Sequence, residues 1–311
     1  MILTITPNPA VDMTYHADSL TLGESHRVPA AHSRAGGKGL NVARVCHQLG
    51  HSVLALATVG GDSGAEFSHE LTTSGVPHEL IRVASSMRRS IALVEVGSGR
   101  TTVVNEIGSP MDESEWATLT ESVRALASGA RCLVGAGSLP GANSGSNATR
   151  DSFYAGCVEA AHVLGIPAII DATGTALLLA ASAGADLLKP NRVELAEATG
   201  LEDPLAGAER LLDLGARMVL VSLGEDGMFG VSSDDREPLF ARLAMPLVGN
   251  PTGAGDAAVA AAAVCLSTGN RERETILRMA TAWSAAAVLA PVAGSVGGDI
   301  AALEAEVIFS R

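Results

Sequence analysis

The chain has 311 residues, with 34 acidic against 21 basic side chains and a formal net charge of −13. That balance excludes a nucleic-acid partner, because binding a phosphate backbone requires clustered Lys and Arg. A composition 47% hydrophobic but only 3% aromatic implies one large domain packed by Ala, Val, Leu and Ile.

In chain order, short β-branched runs alternate with longer alanine-rich stretches. Strands are expected at Ile2–Thr6, Ser52–Val59, Arg131–Gly135, Ala168–Asp171, Leu187–Leu188, Met218–Ser222 and Met228–Val231. Helices are expected at Gly39–Leu49, Ala65–Ser74, Glu113–Ala127, Arg150–Leu164, Val193–Ala198, Leu205–Leu214, Gly255–Ser267 and Glu272–Ala290. The alternation predicts an α/β fold: a mostly parallel sheet covered by helices on both faces, with ligands at the carboxyl ends of the strands. Two regions break the rhythm. Val11–Tyr15 with Arg27–Arg34, and Ser90–Val96 with Thr101–Asn105, read as short alternating strands, the second pair joined by the hairpin signal Gly97-Ser98-Gly99. They predict a small β-flap, approximately residues 11–34 and 88–105, inserted into a single domain spanning 1–311. Gly141 to Thr149 reads as a surface loop.

Cys46, Cys132, Cys157 and Cys265 stand far apart with no Cys-x-x-Cys pair, which points to a reducing cytoplasm. The start, Met1 to Pro7, lacks a basic n-region and a long apolar stretch, and no segment offers the ~20 uncharged apolar residues of a membrane span. A soluble, cytoplasmic protein with no membrane partner is expected. The histidines show no His-Glu-x-x-His spacing, so no dedicated zinc site is predicted.

Asn250-Pro-Thr-Gly-Ala-Gly-Asp256 runs straight into an alanine-rich helix. Gly253 and Gly255 allow close backbone approach, and the free N–H groups of a first helical turn bind anions. A carboxylate there would repel a phosphate unless Asp256 takes a proton from an attacking hydroxyl; the alternative is a simple helix cap. The only lysines, Lys38 and Lys189, lie in Gly36-Gly-Lys-Gly-Leu-Asn41 and Lys189-Pro-Asn-Arg-Val-Glu194. In a chain that otherwise uses arginine, these mark places where a compact point charge suits a phosphate. No Gly-x₄-Gly-Lys-Ser/Thr is present, and Gly135-Ala-Gly-Ser-Leu-Pro140 puts a proline at the third glycine of a dinucleotide fingerprint.

Six segments, in order, resemble one family: Thr6-Pro-Asn-Pro-Ala-Val-Asp12, Gly36 to Ala43, Gly137-Ser-Leu-Pro-Gly141, Lys189 to Glu194, Ser222-Leu-Gly224 and Gly253-Ala-Gly-Asp256. The chain resembles the ribokinase-like sugar kinases of the phosphofructokinase-B branch, and most of all bacterial 1-phosphofructokinases and tagatose-6-phosphate kinases. The resemblance implies a three-layer α/β/α ribokinase-like fold whose β-flap acts as a lid and pairs with a second subunit in a homodimer. It implies Asp256 as catalytic base and the amides of Gly253, Ala254 and Gly255 as an anion hole. Asp12 would hold sugar hydroxyls, Gly37, Lys38 and Asn41 would lie under the sugar and its phosphate, and Ser138 would be a further substrate contact. Read without the family, Asp12 is a turn carboxylate and Asn41 an N-terminal helix residue. Lys189 and Asn191 match nucleotide contacts; Ser222, Gly224 and Gly227 match the border of an ATP pocket. Asn191-x-x-Glu194 matches the element that organises Mg²⁺, with Glu194 otherwise a first-turn helix acid.

Two departures bear on the substrate. Relatives that act on sugar phosphates place Asn two positions after a flap arginine, whereas Arg89 is followed by Ser90 and Ile91; Asn250-Pro251 replaces the usual approach to the anion hole. Lys38 and Arg89 are the cations expected to receive an acceptor phosphate. The implied activity is ATP- and Mg²⁺-dependent phosphorylation of a ketohexose phosphate, fructose 1-phosphate first. The alternatives are a tagatose-6-phosphate, 6-phosphofructo- or ribokinase-like sugar or nucleoside kinase, and a non-catalytic sugar-phosphate sensor.

Overall fold

A computed structural model describes residues 1–98, 100–141, 144–245, 247 and 249–311. The chain opens with β1 (Ile2–Thr6), β2 (Ala10–Ala17), β3 (His32–Gly36), α1 (Lys38–Gln48), β4 (Val53–Gly60), α2 (Ser63–Thr73), β5 (His78–Val83), β6 (Arg88–Glu95) and β7 (Thr101–Asn105). It continues through α3 (Glu113–Ala127), β8 (Cys132–Ala136), α4 (Ala148–Asp151), α5 (Phe153–Val163), β9 (Ala168–Asp171), α6 (Gly174–Ser182), β10 (Leu187–Leu188), α7 (Arg192–Thr199) and α8 (Pro204–Leu214). The last part holds β11 (Met218–Ser222), β12 (Met228–Ser232), β13 (Leu239–Leu243), α9 (Ala254–Ser267), α10 (Arg273–Val288), α11 (Ile300–Ala305) and β14 (Val307–Ser310).

Ten strands form one sheet in the order β14-β13-β12-β11-β10-β9-β8-β1-β4-β5. From β11 to β5 every pair is parallel, and β12, β13 and β14 add an antiparallel edge. β1 lies inside the sheet and is buried at all five positions, as a parallel strand covered on both faces must be. One apolar layer carries α1, α2, α9 and α10 through residues such as Leu40, Phe67, Val259 and Leu277. The other carries α3, α5, α6 and α8 through Trp116, Tyr154, Leu177 and Leu211. This is the expected ribokinase-like α/β fold. In α9 the run Ala257–Ala263 is no more than 1% exposed; its small side chains let α1 and α10 pack closely against the helix that presents Asp256.

The second sheet has the order β3-β2-β6-β7. Each expected hairpin-like pair is present and antiparallel, and a parallel pairing of β2 with β6 joins them. The strand expected at Arg27–Arg34 shrinks to His32–Gly36, because residues 25–31 are mostly exposed and lack regular structure. Of the expected turn Gly97-Ser98-Gly99, Gly99 lies outside the described residues, as do residues 142 and 143 of the loop expected at Gly141–Thr149.

The other expected elements match within two residues, with one exception. The helix expected over Arg150–Leu164 is split at Ser152, whose hydroxyl donates to Ala148 O at 2.7 Å and ends the short α4. β5, α6, β13, α11 and β14 were not expected. In α6 the run Leu177-Leu-Leu-Ala-Ala181 has no polar period to betray a helix, and β5 has partly exposed positions on both faces, so it shows no clean alternation. Among the described residues, no helix is long and apolar enough to cross a membrane.

Candidate active site

The parallel topology brings the carboxyl ends of β1, β8, β9 and β10 to the same side as the first turns of α1 and α9. There a cavity of about 620 Å³ opens between the strand ends and the flap. Its inner wall holds Asn41, Asp171, Lys189, Glu194, Gly255 and Asp256; its flap wall holds Asp12, Arg88, Ser90 and Asn105.

Gly253 caps α9 in the left-handed region, φ +87°, which side chains rarely adopt. That turn leaves the N–H of Gly255 without a backbone acceptor among the described residues, while the N–H of Ala254 donates to Pro251 O at 3.1 Å, and it sets Asp256 in the first helical turn. Asp256 is 6% exposed, and the amide Nδ2 of Asn41 donates to its Oδ2 at 2.8 Å. No hydrogen bond from Asp256 to the helix end is present among the described residues, so a pure capping role does not describe it. Burial, reinforced by the charge of Asp171, pushes its pKa up to about 7, against the pull of Lys38. A carboxylate poised there can take a proton near neutral pH.

Asp171, at the end of β9, is the residue the sequence reading missed. It is 1% exposed and faces both lysines: Lys38 Nζ at 3.1 Å and Lys189 Nζ at 3.6 Å. Burial alone would raise its pKa; the two ammonium groups outweigh that and hold it below the usual carboxylate range. Lys38 also lies 3.0 Å from Glu194 Oε1. Burial would lower its pKa, but Asp171, Glu194 and Asp256 together raise it well above the usual lysine range. Lys38 is therefore engaged by two carboxylates. Glu194 is at once the first-turn acid and more: its Oε2 accepts from Asn191 N at 2.9 Å while Asn191 Oδ1 accepts from Glu194 N at 2.9 Å, a reciprocal capping box.

At the flap, Asp12 lies over Gly36, where an added Cβ would fall 1.9 Å from its carboxylate. Burial raises its pKa to about 6, opposed by Arg88, Arg34 and Arg44. The pairing of β2 with β6 puts Asp12 opposite Ser90 and Val11 opposite Arg89. Side chains alternate across a strand, so Arg88 and Ser90 face the cavity and Arg89 is exposed on the other face. Of the two arginines, Arg88 and not the expected Arg89 lines the cavity, and the position two after it is Ser90. Asn105 pairs directly across from Ser90 and lines the same cavity, so an amide reaches this point from the neighbouring strand. Gly37 and Ser138 also line the cavity, and Asn8 Nδ2 donates to Ser138 Oγ at 3.0 Å.

A second cavity of about 460 Å³ is bordered by Ser222, Gly224, Gly227 and Ala254 and by apolar Met228, Leu243 and Val288. Asn191, Ser222 and Gly255 line both cavities, so the first turn of α9 lies where a group could pass from one to the other.

The profile of the pfkB family carbohydrate kinases matches residues 6–296. The chain belongs to that family. It is a carbohydrate kinase, a phosphotransferase with a sugar alcohol as acceptor, and the family's phosphoryl donor is ATP. Escherichia coli phosphofructokinase-2, solved with fructose-6-phosphate, is 29% identical over 98% of each chain with a TM-score of 0.84; that enzyme is also known in a tetrameric inhibited form. A possible 1-phosphofructokinase from Thermotoga maritima shares the fold at 19% identity, covering 100% of this chain and 99% of that one, TM-score 0.87. So does Arabidopsis thaliana ribokinase, complexed with ribose and ATP, at 20% identity over 97% and 96%, TM-score 0.70.

Proposed function

We propose that the chain transfers the γ-phosphoryl group of ATP to a primary hydroxyl of a ketohexose phosphate, fructose 1-phosphate giving fructose 1,6-bisphosphate. One observation carries the reading: a single cavity has a proton-accepting carboxylate, Asp256, at its inner end and a cation, Arg88, at its flap end. A neutral sugar needs no such cation. Asp12 holds sugar hydroxyls, with Ser90, Asn105 and Ser138 as polar neighbours.

Asn41 orients Asp256 through Oδ2, and Asp256 accepts the proton of the attacking hydroxyl. The N–H groups of Gly253 and Gly255 face the charge that grows on the transferring group, where preorganised donors act most strongly, whereas that of Ala254 donates to Pro251 O at 3.1 Å at rest. The base of the nucleotide lies in the second cavity beside Ser222, Gly224 and Gly227, and Lys189 meets its phosphates. Among the described residues no cluster of three or more His, Cys, Asp or Glu could hold a metal. Asp171 and Glu194, both within 3.1 Å of one nitrogen, suit an ion that keeps most of its waters and binds phosphate oxygens, as Mg²⁺ does. Held by Asp171 and Glu194, Mg²⁺ would neutralise charge on the phosphates.

The flap carries half-exposed Val103 and Val104 and exposed Val96, which supports a homodimer joined through it. Escherichia coli phosphofructokinase-2, with its fructose-6-phosphate complex, favours a second reading in which fructose 6-phosphate is the acceptor. A coupled ADP-release assay over fructose 1-phosphate, fructose 6-phosphate, tagatose 6-phosphate, fructose and ribose tests both. Fructose 1-phosphate is expected to give the highest kcat/KM. Preference for an unphosphorylated sugar would overturn the sugar-phosphate reading, and binding without ADP release would indicate a sensor.

A further inference from the structure

Lys38 occupies the place where the two metal-suited carboxylates converge. Glu194 Oε2 is committed to the backbone of Asn191, and Asp171 Oδ2 faces Lys189. Glu194 Oε1 and Asp171 Oδ1 are the oxygens left for a cation, and the Lys38 ammonium has both, at 3.0 and 3.1 Å. A doubly charged ion and an ammonium repel strongly at such range in a partly buried site, so the two exclude each other. The two lysines also differ in freedom. The Lys38 side chain is 33% exposed and borders the open cavity, whereas Lys189 is 4% exposed and is hemmed in by Gly255, where an added Cβ would lie 3.1 Å from its Nζ.

We propose that Lys38 stands in for the divalent cation in the nucleotide-free chain, keeping Asp171 and Glu194 closed to free metal until an ion bound to nucleotide takes them and releases the ammonium toward the transferring phosphoryl group. The inference rests on the kinase reading above. Lys38 leaves only when new negative charge is at hand, because abandoning two carboxylates for water alone would strand it in an acidic site. The phosphates of the nucleotide supply that charge. Metal therefore enters with the nucleotide and not before it, and the same exchange delivers a cation to the reacting group at the moment the site is complete. A compact, flexible ammonium suits this movement better than a planar guanidinium would.

The deciding measurement uses Mn²⁺ as probe and needs no nucleotide. Electron paramagnetic resonance titration of the nucleotide-free chain is expected to show Mn²⁺ bound at least about tenfold more tightly by Lys38→Met than by the wild type, a modest factor for removing one like charge. Equal affinities would overturn the proposal. Should that variant fail to fold, the wild type provides the second test, because its two lysines yield just two side-chain ammonium signals after ¹⁵N-lysine labelling. The Lys38 signal is expected to stay in place on adding Mg²⁺ alone and to shift on adding Mg²⁺ with a non-hydrolysable ATP analogue. A shift with Mg²⁺ alone overturns the exchange. Failure of the analogue to bind at all in calorimetry counts against the kinase reading instead, with the Mn²⁺ comparison still deciding the role of Lys38.

Discussion

At the inner end of the cavity the charges are matched before any ligand arrives: Asp171 faces two lysines and Glu194 is held by Asn191 and Lys38. At the flap end, Asp12 accepts no hydrogen bond among the described residues, and Arg88 donates to the carbonyls of Asn8 and Glu106 rather than to a carboxylate. The inner end grows from parallel strand ends fixed on both sides, whereas the flap is a four-stranded sheet carrying exposed apolar residues. The contrast separates two tasks. Balanced charge assembles a floor for phosphoryl transfer before any ligand binds, and unbalanced polar groups wait for the proposed sugar phosphate to complete them.

The largest expected effect tests the floor. Asp256→Asn keeps size but cannot accept a proton, so turnover should fall by roughly two to four orders of magnitude with ATP binding retained; near-native turnover would remove Asp256 from the mechanism. In the wild type, kcat/KM should rise as pH passes through about 7, where Asp256 ionises, and that rise should be absent in the variant. Next comes Asp171→Asn, which leaves two lysines without their shared buried partner and should cost about 3–5 kcal/mol in denaturant unfolding. A loss under about 1 kcal/mol would show that the inner end is not held together by its charges.

At the flap end the effects are smaller and fall on binding. Arg88→Ala should raise the KM for the sugar phosphate by about ten- to a hundredfold and leave that for ATP unchanged, while Arg89→Ala should change either by no more than about threefold. Reversal of the two would mean that the strand faces the other way. The smallest effect concerns stability. Asp12 titrates near 6 in the folded chain against 3.8 ordinarily, so the native state binds its proton more tightly and stability declines as pH rises from about 4 to about 6. Asp12→Asn should therefore be more stable than the wild type at pH 8, by no more than about 3 kcal/mol, and nearly equal to it at pH 4, the opposite sign from Asp171→Asn. Destabilisation at pH 8 would mean that Asp12 has a partner at rest.

The main sheet and the glycine-bearing helix start were legible because period and punctuation are local: Gly253 and Gly255 before an alanine run state a tight turn and a packed helix together. The facing of β6 was not. Arg88-Arg89 offers two adjacent arginines, and only pairing with β2, where Ala10 meets Arg88 from 78 positions earlier, decides which one enters the cavity. Asp171 was hidden for a related reason. A strand-terminal acid in Ala168-Ile-Ile-Asp171 looks like any turn residue until Lys38 and Lys189 arrive from distant segments, although a charge closing a fully apolar run was a usable signal. Asn105 became visible only as the cross-strand neighbour of Ser90.

The seam between β2 and β6 has a kinetic meaning. Its two halves come from residues 10–17 and 88–95, with α1, β4, α2 and β5 folded into the chain between the two ribbons. Neither ribbon is a stable unit by itself, and a parallel seam of such sequence separation closes late because the loop entropy must be spent before any contact repays it. During refolding the helical signal should thus return ahead of catalytic competence, and on a ribosome the first ribbon must wait, edges bare, for the second to emerge. The flap is the part of this chain with the most to gain from a chaperone.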